Sequence, residues 1–463
     1  MWNGKRVHFI GVGGSGMSPL ARILSGMGAR VSGSDIKPSP KLSEVSEAGV
    51  EVYTGHDPAR VHDAELVVVS AAVPPDDPEL RAAKEAGIHV VTRAELLGEL
   101  MNPARGIAVT GTHGKTTTSS MVALSLERAG LDPTIVVGAS VPKIPGGGKL
   151  GRGEFVVVEA DEAYGSFLRL TPEVAVVTSI DDDHRDYYST FEGILEGFAQ
   201  FLRRIKPGGT AVVCADDPNT GRAVSGLRRR IVTYGFAPGA DYTAASSEAL
   251  GFGSRFEVVH RGRPLGKLEL AVPGVHNISN ALAASAVCDL LGVDFGAVRD
   301  ALRDFTGAER RCQILARTRG VTVVDDYAHH PAEIRATLSA LRRATSGRLV
   351  AVFQPHRFTR TKLLMDEFAR SFGNADVIGV TEIFYEGTGE QPIAGLSGKE
   401  LCARISAFEG REATYIPDRG ALDEFLRKTV RSGDIVVTMG AGDIYRASRK
   451  YADELLDGST TPR

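Results

Sequence analysis

The predicted fold rests on one stretch of the chain, Ile107-Ala108-Val109-Thr110-Gly111-Thr112-His113-Gly114-Lys115-Thr116-Thr117-Thr118. It begins with an apolar run typical of a buried strand, and Met121-Val122-Ala123-Leu124 beyond it favours a helix that begins near Gly114. Glycines between a strand and a helix let backbone N–H groups approach an anion, and the positive end of the helix dipole faces the same anion. The stretch therefore predicts a strand, a phosphate-binding turn and a helix, as in an α/β protein.

The residues of this turn predict a site for a nucleoside triphosphate. Lys115 would bring its charge to the β- and γ-phosphates, and the Thr116 hydroxyl would be a ligand of Mg²⁺. The turn is shorter than the general GxxxxGK[ST] pattern, because Val109 stands where that pattern has its first glycine. The residues assigned to ATP in this turn are Gly111, Thr112, His113, Gly114, Lys115, Thr116 and Thr117.

Length and composition limit the class of protein. A chain of 463 residues suggests about three domains, and 43% hydrophobic with 24% charged residues is typical of a globular protein. The formal charge of −3 argues against a nucleic-acid partner. No apolar run approaches the roughly 18 residues that a membrane-spanning helix needs, so no membrane insertion is expected. The four scattered cysteines lack metal spacing and are typical of reduced thiols, which favours a cytoplasmic protein.

Strands alternate with helical patterns along most of the chain, which predicts parallel sheets wrapped by helices. We expect an α/β fold of three domains: a Rossmann-like domain at 1–103, a central P-loop-type ATPase domain with a mixed sheet at 104–309, and a Rossmann-like α/β domain at 310–463. Asn102-Pro103 ends the first domain, because a residue before proline avoids helical geometry. The three glycines at 146–148 predict a mobile loop.

The pattern of apolar and polar residues also gives approximate bounds for the elements. Helices are predicted at 94–101 and 281–291, and antiparallel strands at about 241–272. The other predicted strands are residues 7–10, 30–32, 50–53, 66–70, 88–91, 155–159, 174–178, 210–214, 321–324, 349–353, 377–380 and 435–439.

A second glycine-rich turn lies near the start of the chain. Gly11-Val12-Gly13-Gly14-Ser15-Gly16 matches the dinucleotide pattern G-x-G-x-x-G directly after a predicted strand, and Asp35 lies where a ribose-binding carboxylate would sit. The match alone favours an NAD-dependent oxidoreductase. However, such a turn binds a diphosphate at a helix N-terminus, and any UDP-linked molecule carries the same diphosphate. The additional phosphate turn at Lys115 favours an enzyme with two phosphate-bearing substrates.

Acidic side chains follow two further predicted strands. Residues 155–158 lead to Glu159-Ala160-Asp161-Glu162, and residues 174–178 lead to Asp181-Asp182-Asp183-His184. The ends of strands in an open parallel sheet face the ligand crevice, so we expect these neighbouring strands to bring acids and a histidine to one edge. Carboxylates suit Mg²⁺, which makes Glu159 a candidate ligand, with a solvated loop as the alternative. For His184 a structural role is the alternative, because imidazole is an unusual Mg²⁺ ligand.

Polar groups recur later in the chain. Asn277 and Asn280 lie one turn apart at the start of a predicted helix, where helix capping and ligand contact are both consistent with the pattern. Asp325-Asp326-Tyr327-Ala328-His329-His330-Pro331 and Gln354-Pro355-His356-Arg357-Phe358-Thr359-Arg360 both follow predicted strands. Two arginines three residues apart would clamp a carboxylate, because guanidinium binds it in a bidentate manner. A surface salt bridge is the alternative.

Together these motifs resemble those of the Mur ligases. Their order along the chain is Gly-Thr-His-Gly-Lys-Thr-Thr-Thr, Glu-Ala-Asp-Glu, Asp-Asp-His, His-Asn-x-x-Asn, Arg310-Arg311, Asp-Asp-Tyr-Ala-His-His-Pro and Gln-Pro-His-Arg-x-x-Arg. The opening residues 8–18 and the segment Ser32-Gly33-Ser34-Asp35 look most like the member of the family that uses L-alanine. The resemblance covers essentially the whole chain.

The resemblance implies an ATP-dependent, ADP-forming ligase of peptidoglycan precursor synthesis. Such an enzyme adds L-alanine to the carboxylate of UDP-N-acetylmuramate through an acyl phosphate. The first domain would hold the UDP end of the sugar nucleotide, the second would bind ATP with Mg²⁺, for which Mn²⁺ could substitute, and the third would bind the amino acid. A monomer or weak homodimer is expected.

The resemblance also implies roles for individual residues. The catalytic residues would be Lys115, Glu159, His184 and His329, and the metal ligands Thr116, Glu159 and His184. Further contacts to ATP would come from Asn277, Asn280 and Arg310. The amino-acid site would contain Tyr327, His329, Arg357 and Arg360. The residues of the UDP-sugar site would be Gly11, Gly13, Gly14, Ser15, Gly16, Ser34, Asp35 and Ser70.

Some positions depart from the family pattern. Ser179 stands where the family commonly has Asn, and Cys312-Gln313 follows the arginine pair where an aromatic residue is usual. The glycines at 146–148 replace a loop that in relatives often carries an Asn near the sugar. Several relatives use a carbamoylated lysine, but no lysine lies between Glu162 and Ile205, so none is predicted.

Three other functions stay open at this point. A ligase that joins a whole tripeptide to the same sugar nucleotide shares the ATP machinery. A folylpolyglutamate-type ligase shares the phosphate turn but lacks the first domain. An NAD-dependent oxidoreductase is supported only by the turn at residues 11–16.

Overall fold

A computed structural model describes residues 2–386 and 389–462. Its described part is an α/β protein with three sheets. Two compact units divide the chain. The first holds the chain up to Ala245 together with Glu257–Leu268 and Ser279–Asp304, and the second holds Ser246–Phe256, Glu269–Ile278 and the chain from Phe305 onward. The predicted three-domain α/β class is confirmed.

The first sheet has five parallel strands in the order β3-β2-β1-β4-β5. Because β1 pairs with β2 on one side and β4 on the other, the strand order reverses at β1, and the turn after β1 lies at the position where such sheets bind ligands. The elements are β1 (Arg6–Ile10), α1 (Met17–Gly26), β2 (Arg30–Asp35), α2 (Pro40–Glu47), β3 (Glu51–Thr54), β4 (Leu66–Val69), α3 (Pro78–Glu85), β5 (His89–Thr92) and α4 (Arg93–Met101). A 3-10 helix spans Pro58–Val61.

The second sheet has ten strands in the order β15-β14-β13-β12-β11-β10-β6-β9-β7-β8. Its elements are β6 (Arg105–Thr110), α5 (Lys115–Arg128), β7 (Thr134–Val136), β8 (Gly148–Lys149), β9 (Phe155–Glu159), β10 (Val174–Val177), α6 (Arg185–Tyr188), α7 (Phe191–Arg203), β11 (Thr210–Cys214), α8 (Pro218–Ala223), β12 (Arg230–Tyr234), β13 (Tyr242–Leu250), β14 (Gly253–His260), β15 (Arg263–Leu270), α9 (Val275–Leu290) and α10 (Phe295–Arg303). Two 3-10 helices cover Pro145–Gly147 and Ala163–Arg169. The sheet is mixed, as predicted, since β7 and β8 pair antiparallel while the strands around β6 are parallel.

Two expectations for this sheet are wrong. The strands β9 and β10 are not neighbours, because β6 lies between them and pairs with both. The ends of β9 and β10 therefore lie on either side of the end of β6. Their acids and histidine still meet at that edge, because ligand atoms of Asp161, Glu162 and His184 lie within 4.8 Å of one another. The glycines at 146–148 are not simply a mobile loop, because Gly148 pairs with Val136 in the sheet and Gly147 accepts a hydrogen bond from the Val137 N–H at 2.8 Å.

Helix α5 lies in the core of this domain. All its residues from Thr116 to Leu126 are buried. The sequence accounts for this, because these residues are either small, as Thr, Ser and Ala are, or apolar, as Met, Val and Leu are. Small side chains allow close packing on every side.

The third sheet has six strands in the order β16-β17-β21-β18-β19-β20, all parallel except β16, which pairs antiparallel with β17. The elements are β16 (Gln313–Thr318), β17 (Val321–Asp326), α11 (Pro331–Ala344), β18 (Leu349–Phe353), α12 (Phe358–Leu363), α13 (Met365–Ala369), β19 (Val377–Thr381), α14 (Gly398–Glu409), β20 (Ala413–Ile416), α15 (Arg419–Thr429), β21 (Ile435–Met439) and α16 (Tyr445–Asp457). Within the described ranges, no helix combines the length and apolar character needed to cross a membrane.

Candidate active site

The phosphate turn connects the end of β6 to the start of α5. Gly111 and Gly114 both have positive φ angles, 130° and 82°, and Gly114 is the N-cap of the helix. Any side chain would also meet neighbouring atoms: a Cβ on Gly111 would collide with the Thr178 hydroxyl, and one on Gly114 would lie 2.7 Å from Oδ1 of Asn280. Glycine is therefore required at both positions for backbone conformation and for space.

The end of β10 holds the turn in place. The Thr112 N–H donates to the Ser179 carbonyl at 2.9 Å, and the His113 N–H donates to the Ser179 hydroxyl at 3.0 Å. The Thr178 hydroxyl donates to the His113 carbonyl at 2.5 Å. Ser179, where the family commonly has Asn, thus supports the backbone of the turn in this chain.

Lys115 projects into the protein interior and is held by oxygen atoms. Its Nζ donates to the Gly111 carbonyl at 2.7 Å and to Oε1 of Glu162 at 2.9 Å. Burial opposes the charged form, but the negative charges of Glu162, Asp161 and Glu159 outweigh it and raise the pKa of Lys115 to about 12. The lysine therefore carries its charge at any physiological pH.

Acidic groups surround this lysine. Ligand atoms of Asp161, Glu162 and His184 lie within 4.8 Å of one another, and the His184 ring lies 3.9 Å from Oε1 of Glu162. Oε2 of Glu162 is buried and has no hydrogen-bond partner within the described residues. Glu159 is the last residue of β9, and its side chain accepts a hydrogen bond from the Gly138 N–H at 2.7 Å. Carboxylate oxygens at this density fit a hard divalent cation.

Glu162 is the residue of this site for which the sequence predicts no role. It belongs to the acidic run after β9, but its sequence position does not distinguish it from Asp161. Tertiary contacts distinguish Glu162 from Asp161. The Tyr188 hydroxyl donates to the backbone carbonyl of Glu162 at 2.7 Å, and the Glu162 side chain is 3% exposed. That tyrosine lies 26 residues further along the chain.

The two asparagines predicted for the ATP site belong to different units of the structure, Asn280 to the first and Asn277 to the second. Asn280 accepts a hydrogen bond from the Thr118 hydroxyl at 3.1 Å and lies beside Gly114. Asn277, in the second unit, donates to the Pro273 carbonyl at 2.7 Å. Thr116 and Thr117 are buried at the start of α5.

In the first domain, the end of β2 organises the glycine turn. The Gly11 and Val12 N–H groups donate to the Ser34 carbonyl at 2.9 and 3.0 Å, and the Gly13 N–H donates to Oδ2 of Asp35 at 3.0 Å. Ser70 packs beside Gly11, where a Cβ would lie 3.1 Å from the Ser70 Cβ. The Ser34 side chain is fully buried. Gly14, Ser15 and Gly16 lead into α1, whose N-cap Gly16 has no side-chain capping bond.

Arg310 belongs to the second unit, as do the four residues predicted for the amino acid. Its guanidinium donates to Oδ2 of Asp325 at 3.3 Å and to the Gly440 carbonyl at 2.5 Å. It also lies 4.9 Å from the ring centroid of Tyr327 and 4.6 Å from that of Tyr445. These contacts hold the arginine at a fixed place beside the end of β17.

His329, Arg357 and Arg360 follow the ends of β17 and β18. Nδ1 of His329 lies 3.0 Å from the Tyr327 carbonyl, and its ring centroid is 6.3 Å from that of His356. Nε of Arg357 donates to Oε1 of Glu390 at 2.7 Å. Burial, followed by the positive charges of His329, Arg360 and Arg357, lowers the pKa of His356 to about 3. Guanidinium groups bind carboxylates, and Arg357 binds that of Glu390 in this structure.

Comparison with known proteins adds to this geometry. Residues 6–105 match a model of the Mur ligase family, catalytic domain; residues 109–288 match the Mur ligase middle domain; and residues 310–442 match the Mur ligase, glutamate ligase domain. The matches fall on the three sheets in order.

Individual relatives match from end to end. The UDP-N-acetylmuramate–L-alanine ligase of Pelotomaculum thermopropionicum is 47% identical over 98% of both chains, and that of Symbiobacterium thermophilum is 48% identical over 100% of this chain and 97% of its own. The crystal structure of UDP-N-acetylmuramate-alanine ligase from Thermotoga maritima has a TM-score of 0.84 at 29% identity, covering 98% of this chain and 99% of that one. The chain therefore belongs to the Mur ligase family.

Proposed function

We propose that the protein is an ATP-dependent, ADP-forming ligase that joins L-alanine to the carboxylate of UDP-N-acetylmuramate, in peptidoglycan precursor synthesis in the cytoplasm. The observation that carries this proposal is the end-to-end similarity to ligases of that name, at 47% identity over 98% of both chains. The buried, charged Lys115 in a glycine turn beside several carboxylates supports it, because phosphoryl transfer depends on positioning and on neutralisation of the phosphate charge.

The chemistry follows from the poor reactivity of a carboxylate. Displacing an oxide from a carboxylate is unfavourable, so an oxygen of the lactyl carboxylate first attacks the γ-phosphorus of ATP, and the bond to ADP breaks. The alanine amine then attacks the acyl carbon and loses a proton, and inorganic phosphate leaves the tetrahedral intermediate. Both steps depend on positioning and charge neutralisation more than on covalent help from the protein.

In this scheme Lys115 stabilises the charge on the transferring phosphoryl group. Thr116 and Glu159 would hold one Mg²⁺ or Mn²⁺, and Glu159 and His184 a second. A bound ion would supply further neutralisation of the phosphate charge. The turn residues 111–117 would bind the triphosphate, with Asn277, Asn280 and Arg310 as additional contacts.

The other two ligands are assigned to the other domains, with boundaries proposed at 1–103, 104–309 and 310–463. In the first, Gly11, Gly13, Gly14, Ser15, Gly16, Asp35 and Ser70 would surround the UDP moiety. Ser34 would belong to the same site through its backbone carbonyl, which accepts the Gly11 and Val12 N–H groups. In the third, Arg357 and Arg360 would orient the alanine carboxylate, and Tyr327 and His329 would lie by the reacting centre.

The test is a phosphate-release assay with ATP, Mg²⁺, UDP-N-acetylmuramate and single amino acids. We expect release that requires both the sugar nucleotide and L-alanine, together with formation of the amide. Preference for a tripeptide over alanine, or reduction of NAD, would refute the proposal.

A further inference from the structure

A buried polar cluster lies in the first domain, outside the residues assigned to ligands. It is centred on Glu79, in the first turn of α3, whose side chain is fully buried. One carboxylate oxygen accepts the Ser34 hydroxyl and lies 3.4 Å from Nε2 of His8, and the other accepts the Asp57 N–H at 3.0 Å. The three partners come from β2, from β1 and from the loop after β3.

The cluster is electrostatically strong. Burial acts to raise the pKa of Glu79, but hydrogen bonds from His8, Ser34 and Asp57 outweigh it, and the pKa lies below its usual value. The carboxylate is therefore ionised at neutral pH. Hydrogen bonds to an ionised group are about twice as strong as neutral ones, so this group fixes the relative positions of its partners.

Ser34 connects the cluster to the glycine turn. Its backbone carbonyl accepts the N–H groups of Gly11 and Val12, and the adjacent Asp35 accepts the N–H of Gly13. The first three N–H groups of the turn are thus bonded to the end of β2. The end of β2 is in turn bonded to Glu79 through the Ser34 hydroxyl.

We propose that Glu79 is a positioning residue for the sugar-nucleotide site: it fixes the end of β2 and thereby holds the turn at residues 11–16 in the shape that receives the diphosphate. This inference rests on the proposed function. Glu79 acts through Ser34 and makes no contact with the substrate. Ser34 likewise acts through its carbonyl and its bond to Glu79, because its buried hydroxyl faces the carboxylate.

The test is the variant Glu79→Gln, which keeps the shape of the side chain and removes its charge. We expect the Kd for UDP-N-acetylmuramate, measured by isothermal titration calorimetry, to rise about tenfold, the loss typical of a charged hydrogen bond. The KM values for ATP and L-alanine should change by less than about twofold, because their proposed sites lie in other domains. An unchanged Kd would overturn the inference.

Asp77→Asn is the matched control. Asp77 is also buried and lies two residues earlier. Its carboxylate accepts the N–H groups of Glu79 and Leu80, at 3.0 Å each, and contacts the ring of His56, but it does not contact Ser34. We expect this variant to lower the melting temperature and leave the Kd for the sugar nucleotide unchanged. An equal rise in Kd for both variants would mean general loosening of the domain and would overturn the inference.

Ser34→Ala tests the same inference if the Glu79→Gln protein does not fold. Ser34→Ala removes one donor and should give the same selective rise in Kd, by about threefold or more. An unchanged Kd in a folded Ser34→Ala protein would overturn the inference. If the unaltered enzyme does not bind UDP-N-acetylmuramate, the proposed function itself is wrong and the inference falls with it, whereas normal binding by Glu79→Gln refutes the inference alone.

Discussion

Lys115 places a positive charge in the protein interior, where carbonyl groups and the Glu162 carboxylate hold it. The side chains of this ion pair are 15% and 3% exposed, so each charge depends on the other. A substitution of Lys115 is therefore expected to change both the stability of the fold and the rate of turnover. The two effects have to be measured separately.

We expect Lys115→Ala to lower kcat by at least about a hundredfold, because charge on the transferring phosphoryl group loses its stabilisation. The Kd for UDP-N-acetylmuramate should stay within about twofold, since that ligand is assigned to the first domain. Steady-state kinetics and calorimetry measure the two. A loss of sugar-nucleotide affinity as large as the loss of turnover would contradict this division of roles.

The double variant Lys115→Met with Glu162→Gln is the control for stability. Lys115→Ala alone leaves Glu162 as an unpaired buried charge, which costs about 3 kcal/mol of unfolding free energy. Replacing both partners should recover most of that stability, read from chemical denaturation, without recovering turnover.

Arg357 is the N-cap of α12, and its guanidinium donates to the carboxylate of Glu390. We expect Arg357→Ala to raise the KM for L-alanine about tenfold or more and the KM for ATP much less, because the lost group is a bidentate carboxylate partner. Arg404→Ala is the control, because Arg404 pairs with Asp366 at the surface, with side chains 49% and 73% exposed. Equal effects of Arg357→Ala on both KM values would mean that Arg357 does not bind the amino acid.

Helix α5 shows how a short segment of sequence forms the phosphate site. Left-handed glycines lie at both of its ends, Gly114 before it and Gly130 after it, with φ angles of 82° and 78°. Only Gly114 also has a close neighbour, because a Cβ there would lie 2.7 Å from Oδ1 of Asn280, whereas a Cβ on Gly130 would meet no atom within 4 Å.

These two glycines form a matched pair for substitution. Both Gly114→Ala and Gly130→Ala should lose about 1 kcal/mol of stability from the left-handed conformation. Gly114→Ala should lose more, because Asn280 must move, and it alone should raise the KM for ATP. Thermal unfolding and ATP kinetics distinguish them. Equal stability losses and an unchanged KM for ATP would show that the turn tolerates a side chain.

Elements with a strong apolar run could be predicted from the sequence. The strands at 155–159, 210–214, 349–353 and 435–439 match the structure residue for residue, because buried parallel strands are continuous apolar runs. The strands β7, β8, β12, β16 and β20 were not predicted. Several of them are short, and β8, β16 and β20 lie at sheet edges or carry partly exposed residues, so their apolar pattern is weak.

Contacts between segments that are distant along the chain could not be predicted from the sequence. The phosphate turn is visible because it is one continuous segment. Glu162 meets Lys115 across 47 positions, and Glu79 meets Ser34 across 45. Both acids are ordinary in sequence and become distinctive only when buried, since a buried charge requires partners.

The stability of the molecule should also depend on pH through His356. Its pKa falls from 6.5 to about 3 on folding, so the folded protein favours the neutral ring. This contribution is fully present above pH 6.5 and is lost progressively as the pH falls towards 3. Burial raises the pKa of Asp326 to about 6, which acts in the opposite direction below that pH.

Comparison of His356→Gln with the unaltered protein isolates the histidine, because both retain Asp326. We expect the melting temperature of the variant to fall less between pH 7.5 and pH 5. Parallel curves for the two proteins would contradict a neutral His356 in the folded state.

The burial of α5 has a consequence for the dynamics of the ATP site. A helix packed on all sides opens only when its domain opens, whereas exposed segments fluctuate independently. Lys115, the first residue of the helix, is therefore displaced only when the surrounding hydrophobic core opens. ATP would bind to a site that is already formed, so little conformational entropy of the protein would be lost on binding.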